Sequence, residues 1–547
     1  MTDPNECPQY QVFRNEDLLE LIFSLLDPEA YFGNIWDLEP STRQDLLSAA
    51  LTCKAFLPPA MSLLWRMMES LLPLLKLIPS FTSVEPNNYA IEGPVTLDGL
   101  NSVITYGSRI RYLCISNFFD AIKADALLNL LATTQDSLLP NLKSIYIPSF
   151  QLGHTNTTQL ENLNVLFLAY SRFLTAISIH KILTQSIGKK VSLYLSALAH
   201  NQMPVPVDDI ELEGRLLDDN ILNLLPSFRF LKFLTLDLIG VKLKYSTLLS
   251  WSGLSSLTRL EIHMDQSSSF GNVESHYPSS SITFKTLRHL ILDGSLVLVH
   301  RVLRTINNLD YLSTIDLTFN PTSNPDGAAA FPHCLKEMVR ISPLLKNISL
   351  QATKESEFTV PADISALYDC SNIEVLNFAR GIFIPINDVT IGELSSVQWS
   401  SLRELYLPAP SDWNDCPSLL SIGVIARNFP HIIKLKIYVD FDLQDGISLA
   451  SDRKQWSWTN NALSYLHLVA ESSATRISGP LTRGLSLGVA RYIEHLFPNL
   501  EARDIIHNEH PHGHQDYLGL NEWWEDVVEL ISEFRALREE IISDATN

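Results

Sequence analysis

Hydrophobic residues recur along this chain with the spacing L-x-x-L-x-L, in which Ile, Val or Phe can replace Leu. From Leu231 onward, successive clear copies start between 25 and 33 residues apart. Isolated matches are expected in a Leu-rich chain, but many matches at near-constant spacing indicate an internal repeat. Clear copies begin at Ile110, Leu142, Leu231, Leu257, Leu287, Leu312, Leu345, Ile373, Leu402, Ile432 and Leu463, and weaker ones at Leu174, Val207 and Leu500.

The repeat predicts one short β-strand per copy, because its last two apolar anchors alternate with outward-facing neighbours. The remaining residues of a copy often have helical spacing, as in the segment 296–308. One copy cannot bury its own apolar side and must stack on its neighbours. The pattern therefore predicts an α/β leucine-rich-repeat solenoid over 106–505, with parallel strands on a concave face and helices outside. The Asn typical of such repeats is present only as Asn320, which predicts irregular repeats.

The residues between the last two anchors of each copy form the candidate substrate face. They are mixed in character and carry no stripe of one charge, which favours protein recognition over a highly charged ligand. A merely solvated inner face would have the same composition. The members of this central column are Thr235, Glu261, Ile291, Asp316, Ser349, Asn377, Tyr406, Lys436 and His467.

A different pattern precedes the repeats, where apolar residues at helical spacing predict three short helices. The first covers 15–26 with Asn15 as N-cap, and a loop follows it. Ser41 is the expected cap of the second helix, and Pro58 and Pro59 suit the opening of the third. So few residues cannot bury all their apolar surface among themselves. The surplus predicts a partner interface, and the alternative is a helical cap on the repeats.

Two segments of this module, DLLELIFSLLDP and RQDLLSAALTCKAFLPPAMSLLWRMMESLLPLLKLIPS, closely resemble the F-box, as it occurs in large families of mushroom-forming fungi. The similarity includes Cys53, Lys54 and Phe56 in the second helix and Leu64-Trp65-Arg66 in the third. The usual Leu-Pro opening is replaced by Glu16-Asp17-Leu18, and the loop between the first two helices is long.

The resemblance implies docking to a Skp1 adaptor and, through it, to a cullin–RING ubiquitin ligase. It implies a non-catalytic substrate receptor of the SCF type; the alternative is an interaction scaffold that never joins a ligase. The residues that it assigns to the adaptor interface, or to the core behind it, are Leu18, Ile22, Leu25, Leu46, Leu47, Leu51, Phe56 and Trp65. The expected layout is an F-box-like module at 13–76, a connector at 77–105, the solenoid at 106–505 and a C-terminal cap at 506–547.

The C-terminal segment contains a further helical pattern over 521–542, with Asn521 as a candidate cap. Its expected role is to cover the last repeat, because an open solenoid end would expose apolar anchors. A histidine run precedes it: His507, His510, His512 and His514. Imidazoles bind zinc or copper, which makes a metal-dependent enzyme a third hypothesis. The Pro/Gly-containing context favours surface histidines, so we predict no metal and no cofactor.

Composition excludes several classes of function. The 547 residues carry a net charge of −21, which argues against a dedicated nucleic-acid or anionic-membrane binder. Six cysteines occur without a CxxC pair, which fits a reducing compartment. The polar, acidic N-terminal residues predict no signal peptide, and no apolar run approaches about 18 residues. We therefore expect a soluble cytoplasmic or nuclear protein, and the chain lacks the sequence motifs of a P-loop or of a G-x-S-x-G nucleophile.

Overall fold

A computed structural model gives the fold of most of the chain, which divides into two compact units. The first unit is Met1–Val241 with Ser246–Leu257, and the second is Lys242–Tyr245 with Thr258–Asn547. The structure describes residues 15–25, 40–86, 88–115, 121–123, 130, 137–148, 163–180, 182–200, 204–215, 217–265, 267–270, 282–320, 330–353, 358–359, 363–379, 381–397, 399–410, 416–439, 462–470, 483–507 and 518–546.

Short strands alternate with helices along both units. The α-helices are α1 (Glu16–Ser24), α2 (Pro40–Thr52), α3 (Leu57–Leu64), α4 (Leu72–Leu75), α5 (Leu97–Gly107), α6 (Gln185–Ala199), α7 (Asp219–Leu224), α8 (Tyr245–Trp251), α9 (Leu296–Thr305), α10 (Phe331–Ile341), α11 (Asp388–Ser396), α12 (Leu420–Asn428), α13 (Arg483–Leu496) and α14 (Leu518–Thr546). Single 3-10 turns occur at Leu163–Leu168, Leu225–Ser227, Ser365–Asp369 and Ala502–Asp504.

The strands are β1 (Met67–Met68), β2 (Phe81–Glu85), β3 (Asn88–Ile91), β4 (Tyr112–Cys114), β5 (Ala121–Ile122), β6 (Ser144–Ile147), β7 (Ala176–Ile179), β8 (Asp209–Gly214), β9 (Phe233–Leu238), β10 (Lys242–Leu243), β11 (Arg259–Met264), β12 (Ser269–Phe270), β13 (His289–Ser295), β14 (Thr314–Asn320), β15 (Asn347–Ala352), β16 (Phe358–Thr359), β17 (Val375–Phe378), β18 (Ile382–Phe383), β19 (Glu404–Tyr406), β20 (Lys434–Val439), β21 (Tyr465–Ala470) and β22 (Ile505–His507).

A large sheet of 15 strands dominates the described residues, with parallel pairing inside each unit. The first unit contributes its strands in the order β1-β4-β6-β7-β8-β9. The second contributes the order β11-β13-β14-β15-β17-β19-β20-β21-β22. Successive strands lie side by side, as stacked repeats require. The protein is thus a mixed α/β protein whose topology is compatible with a solenoid, which confirms the coarse fold prediction.

The apolar anchors of the repeats hold this sheet together. In the second unit the middle anchors follow one another in register from strand to strand and are buried: Leu260, Leu290, Ile315, Ile348, Leu376, Leu405, Leu435 and Leu466. The weaker copies also form strands, because β7, β8 and β22 begin within them. Burial of each Leu or Ile side chain stabilises the fold by about 1.5–3 kcal/mol, so the set dominates the energetics of the sheet.

The three N-terminal helices form a small core of their own within the first unit. Phe23, Leu46, Ala50 and Ala60 are its buried members. The Asn15 side chain accepts a hydrogen bond from Leu18 N at 3.2 Å, which confirms the predicted N-cap of α1. Prolines occupy the first turn of α3, as expected where no N–H is needed.

Two predicted helix starts were wrong. Helix α2 begins at Pro40, so Ser41 lies inside it rather than capping it; the missing N–H of proline suits a first helical position. Helix α14 begins at Leu518 and ends at Thr546, so Asn521 is an internal residue. In both cases the apolar spacing predicted a helix that the structure contains, but the predicted N-cap residue lies inside that helix. The predicted loop lies mostly outside the described residues, at 26–39.

The segment expected to be a connector has structure of its own. Strands β2 and β3 pair antiparallel, and α5 follows them with Thr96 as its N-cap. Strand β5, which lies after this segment in the chain, pairs parallel to β3. The first strand of the large sheet also lies earlier than expected. Strand β1 is inside the range 13–76 and pairs with β4. The N-terminal helices are therefore followed directly by the sheet, without an unstructured joint.

Helix α14 packs where the sheet of the second unit ends. It contacts α13 and the last strand, β22. Its buried residues include Trp524, Val527 and Ile531, while Ile541 near its C-terminus is 67% exposed. The apolar pattern thus places a helix at the end of the sheet, in the position expected of a cap.

Candidate functional site

Helix α1 presents two apolar sides rather than one. Leu19 and Phe23 face the small core and are 2% and 5% exposed. Four other aliphatic residues, at spacing i, i+3, i+4 and i+7, remain open to solvent: Leu18 (40%), Leu21 (65%), Ile22 (47%) and Leu25 (64%). Residues at this spacing lie on one side of a helix, so they form a continuous exposed row.

Helix α2 has the same division. Leu46 and Ala50 are 1% and 4% exposed, whereas Leu47 and Leu51 are 47% and 77% exposed. We call the six exposed residues of the two helices the aliphatic face: Leu18, Leu21, Ile22, Leu25, Leu47 and Leu51. Such exposure is costly in water at about 25 cal/mol per Å², and exposed apolar rows on a helix commonly mark a binding surface.

The structure separates the eight residues that the resemblance grouped together. Leu18, Ile22, Leu25, Leu47 and Leu51 belong to the aliphatic face, and Leu46 belongs to the core. Phe56 packs edge-to-face on Phe23 with ring centroids 5.4 Å apart.

Trp65 stacks at a tilt on Tyr106 of α5, with ring centroids 4.8 Å apart, so it joins the helices to the rest of the unit. Leu21 was missed by the sequence reading. Its spacing relative to Leu18 and Leu25 was the signal that could have found it.

The second candidate surface is the side of the second unit's sheet that alternates with the buried anchors. We call it the open face. Eight residues of the predicted column lie on it in unbroken register, and each is half-buried: Glu261, Ile291, Asp316, Ser349, Asn377, Tyr406, Lys436 and His467. The ninth, Thr235, lies in the first unit opposite Glu211. The structure aligns the eight; whether they bind a substrate stays a prediction.

At one end of the open face, on β11 and β13, the charged side chains form salt bridges with one another. Arg259 Nη2 lies 2.7 Å from Glu261 Oε2, and His263 Nε2 lies 2.9 Å from Glu261 Oε1. His263 Nδ1 lies 3.4 Å from Asp293 Oδ2, and Asn320 Nδ2 donates to Asp293 Oδ1 at 3.2 Å. Hydrogen bonds to Asp293 and Glu261 raise the pKa of His263 to about 10, so the imidazole is charged at neutral pH. This cluster is already neutralised within the fold.

The first unit contains a comparable cluster that has the outline of a catalytic triad. Ser178 Oγ lies 2.8 Å from His180 Nε2, and His180 Nδ1 lies 2.8 Å from Glu213 Oε2. Ser178 Oγ also donates to Glu211 Oε2 at 2.7 Å. Burial lowers the pKa of His180, but hydrogen bonds to Glu211 and Glu213 outweigh burial and raise it overall.

These groups are poorly arranged for nucleophilic chemistry. The Ser178 hydroxyl donates to Glu211 rather than to the imidazole, and hydrogen bonds to two carboxylates raise the pKa of His180, so the ring is not arranged as a base for Ser178. Strand β7 is also paired on both edges, so its main-chain N–H groups are committed to the sheet and do not form an oxyanion hole. The cluster is therefore an internal charge network, like that around His263.

The middle of the open face contains three polar side chains that differ from these clusters. The side chains of Asp316, Ser349 and Asn377 lie on three successive strands, and none has a hydrogen-bond partner in the described part of the protein. Burial raises the pKa of Asp316. These side chains are only half-buried, and none has a buried polar atom without a partner, so their hydrogen-bonding groups are open to solvent or to a ligand.

The far end of the open face carries positive and aromatic groups. Lys434 Nζ pairs with Glu404 at 2.9 Å, and Lys436 Nζ lies 5.5 Å from the centroid of the Tyr438 ring. The neighbouring His467 has a buried Nε2 without a hydrogen-bond partner. Burial, and then the charge of Lys436, lower the pKa of His467 to about 4, so this imidazole is neutral at neutral pH.

The described residues hold no group of three or more His, Cys, Asp or Glu side chains that could bind a metal ion. Most of the histidine run (His510, His512 and His514) lies outside the described residues. No helix among the described residues has the length and apolarity to cross a bilayer.

Comparisons with known proteins do not identify a family for this chain. No protein-family model matches the chain, and no curated protein matches it significantly. The class of protein therefore rests on the fold described above: a mixed α/β chain with a large parallel sheet, preceded by three packed helices.

Proposed function

We propose that this protein is a substrate receptor of an SCF-type ubiquitin ligase. It docks on a Skp1-like adaptor through α1 and α2, and it holds a protein target on its sheet. The observation that carries the proposal is the aliphatic face, whose six residues stay exposed beside the buried core of Phe23, Leu46, Ala50 and Ala60. The similarity of the helices to the F-box names the partner for that face.

The chemistry of the aliphatic face suits a helix-in-groove interface. Its residues are uncharged and flexible, and desolvating them on a partner would recover the free energy that their exposure costs. Interfaces of this kind depend on a few buried anchors rather than on total area. Ile22 and Leu47 are the natural anchors to test, since each is about half exposed on its own helix.

The proposed mechanism requires no catalytic group in this chain. Binding an adaptor at one site and a target at another brings the target close to the ligase-bound ubiquitin conjugate. Tethering of this kind raises the effective concentration of the target to about the millimolar range. The acidic charge of −21 fits a protein-binding role better than a nucleic-acid one.

The test is a pull-down of purified Skp1 with the full chain, in wild type and in the double variant Ile22→Asp and Leu47→Asp. Loss of one hot-spot anchor costs about 2 kcal/mol or more, so we expect the loss of both to weaken binding by roughly 700-fold or more. Both positions are exposed, so the variant should remain folded, which circular dichroism checks.

Leu193→Asp is the matched control, because Leu193 is 60% exposed on α6, away from the aliphatic face. It should bind Skp1 like wild type. Absence of Skp1 binding by the wild type would contradict the ligase role and leave an interaction scaffold. Equal binding by the folded double variant would contradict the role of the aliphatic face.

A further inference from the structure

Three cationic residues lie next to one another at one edge of the first unit's sheet. Arg66, Arg111 and Lys143 each occupy the position just before a strand, and the strands that follow them, β1, β4 and β6, are neighbours in the sheet. Arg111 N donates to Arg66 O at 2.8 Å, and Lys143 N donates to Arg111 O at 2.7 Å, so the three main chains are in direct contact. We call these three residues the basic row.

The chain around the basic row is poor in acidic residues. Residues 99–119 and 137–160, which contain Arg111 and Lys143, include no Asp or Glu, although the whole chain has 61 acidic residues. Among the described residues, neither Arg111 nor Lys143 has an acidic partner within salt-bridge distance. Like charges on adjacent strands repel each other, so an anion bound between them would relieve an unfavourable interaction.

Arg109 precedes Arg111 by two residues and adds a further cation. Its guanidinium carbon lies 5.5 Å from the centroid of the Tyr106 ring, and the guanidinium carbon of Arg66 lies 5.8 Å from that of Tyr112. Contact with a ring face orients a guanidinium but uses none of its N–H donors. Arg109 Nη1 is buried and has no hydrogen-bond partner in the described part of the chain. A ligand that brings an acceptor to this nitrogen would remove the cost of the unmet donor.

The dimensions of the basic row match a short peptide. Adjacent strands are about 4.8 Å apart, so the three positions span about 10 Å. An extended peptide advances about 3.3 Å per residue, so about four consecutive residues cover that distance. Arg109 and Arg111 are half-buried, where ionic contacts are screened less than at a fully exposed surface. The planar fork of an arginine pairs well with a carboxylate, which can accept two parallel hydrogen bonds.

We propose that the basic row and Arg109 bind an acidic segment of a partner protein, in which three Asp or Glu residues lie within about four positions. Its carboxylates pair with Arg111 and Lys143, and one of them accepts the buried N–H of Arg109. The site goes beyond the proposed function, because its residues belong to neither the aliphatic face nor the open face and its ligand is not the adaptor.

The positive stretch is short, and the acids that border it are already paired. The next two positions along the same edge of the sheet are Thr175 and Asp208. Asp208 Oδ2 lies 3.1 Å from Lys232 Nζ. Glu69, which is close to the row in the chain, pairs with Arg43. These acids therefore do not neutralise the basic row, and they limit it to three strands.

A nucleic acid fits this site less well than an acidic peptide. Its phosphates would continue past the three strands of the basic row, where the edge offers the uncharged Thr175 and then the acidic Asp208. The net charge of −21 would also repel a long polyanion. A ligand with a few closely spaced carboxylates meets the cations without this penalty.

The test is fluorescence anisotropy of the full chain with the labelled peptide Gly-Gly-Glu-Asp-Glu-Glu-Gly-Gly and with its Gln/Asn counterpart. We expect wild type to bind the acidic peptide roughly tenfold or more tightly than the amide version. The double variant Arg111→Glu and Lys143→Glu should bind the acidic peptide roughly tenfold or more weakly, and should bind the corresponding Lys peptide more tightly than wild type does. Arg109→Ala should weaken binding of the acidic peptide by roughly threefold or more.

Arg301→Glu with Lys336→Glu is the matched control, because it makes the same change of charge at two exposed positions of α9 and α10 in the second unit. It should bind the acidic peptide within roughly twofold of wild type. Circular dichroism checks that each variant is folded.

Equal binding by wild type and the folded Arg111 and Lys143 variant, or equal weakening by the control, would overturn the proposal. Unchanged affinity in Arg109→Ala would overturn the role of Arg109. Tighter binding of a thymidine oligonucleotide than of the acidic peptide, lost in the same double variant, would show a phosphate site and overturn the peptide assignment. Skp1 pull-down is a separate measurement, so this proposal and the ligase role can each fail without the other.

Discussion

The aliphatic face of α1 and α2 and the open face of the sheet are both exposed, but they relate to their own cores in opposite ways. The aliphatic face carries apolar side chains that stay largely exposed, such as Leu21 and Leu51 at 65% and 77% exposure. Much of the open face is polar, and several of its charged groups pair with one another, as His263 does with Glu261 and Asp293.

This difference indicates which surface gains more free energy when a partner covers it. Apolar exposure is unfavourable in water wherever it occurs, so the aliphatic face gains free energy from any complementary cover. A paired charge network gains little from a partner, because its groups would lose partners that they already have. Asp316, Ser349 and Asn377 have no hydrogen-bond partner among the described residues, so a bound partner would break no existing hydrogen bond there.

The largest expected effect contrasts neighbouring leucines on α2. Leu46→Asp places a charge in the small core, where Leu46 is 1% exposed, and should destabilise the helices by about 3–5 kcal/mol. Leu47→Asp is made at a position 47% exposed and should change stability by no more than about 0.5 kcal/mol. Limited proteolysis with mass spectrometry measures both. If the protease cleaved the two variants at equal rates, the distinction between the core and the aliphatic face would be contradicted.

The next contrast is between two histidines on the open face. The pKa of His263 is raised to about 10 and that of His467 is lowered to about 4, although both ordinarily titrate near 6.5. NMR of histidine-labelled protein, assigned with His263→Gln and His467→Gln, should therefore show His263 charged and His467 neutral at pH 7. Similar titration of the two rings near pH 6.5 would contradict both environments.

The same shifts predict opposite effects of pH on stability. His263 has a raised folded pKa, so its stabilisation is fully present below pH 6.5 and is lost as the pH rises through about 10. His467 has a lowered folded pKa, so its contribution is present above pH 6.5 and is lost as the pH falls through about 4. Denaturant unfolding should thus show a weaker alkaline decline in His263→Gln and a weaker acid decline in His467→Gln than in wild type.

The smallest effect compares two aspartates on adjacent strands. Asp293 is bonded to His263 and Asn320, so Asp293→Asn should destabilise the second unit by about 1 kcal/mol. Asp316 has a pKa raised by burial, so its charged form is disfavoured and Asp316→Asn should leave the protein slightly more stable at pH 7. Thermal melts of the pair measure the difference. A loss of stability in both variants would show that the Asp316 carboxylate also contributes to folding stability.

Periodicity predicted the sheet well for a simple reason. Alternation of apolar anchors in a strand depends on the two-residue period of the backbone, and stacking of equal repeats then brings equivalent positions into register. That is why Glu261 through His467 could be placed in one row from spacing alone. The helix starts at Pro40 and Leu518 were misplaced, because polar residues that can cap a helix are common and only backbone geometry selects among them.

The primary structure thus contains the local and repetitive features of this protein: the helical spacing in α1 and α2, the strand anchors, and the composition of the row that joins the strands. The fold decides what depends on residues distant in the chain. It buries Leu46 and leaves Leu47 exposed, it brings His263 against Asp293, and it places Asp316 half-buried on the sheet. Spacing follows from the geometry of one backbone segment, whereas burial, pairing and pKa depend on which segments the packed chain brings together.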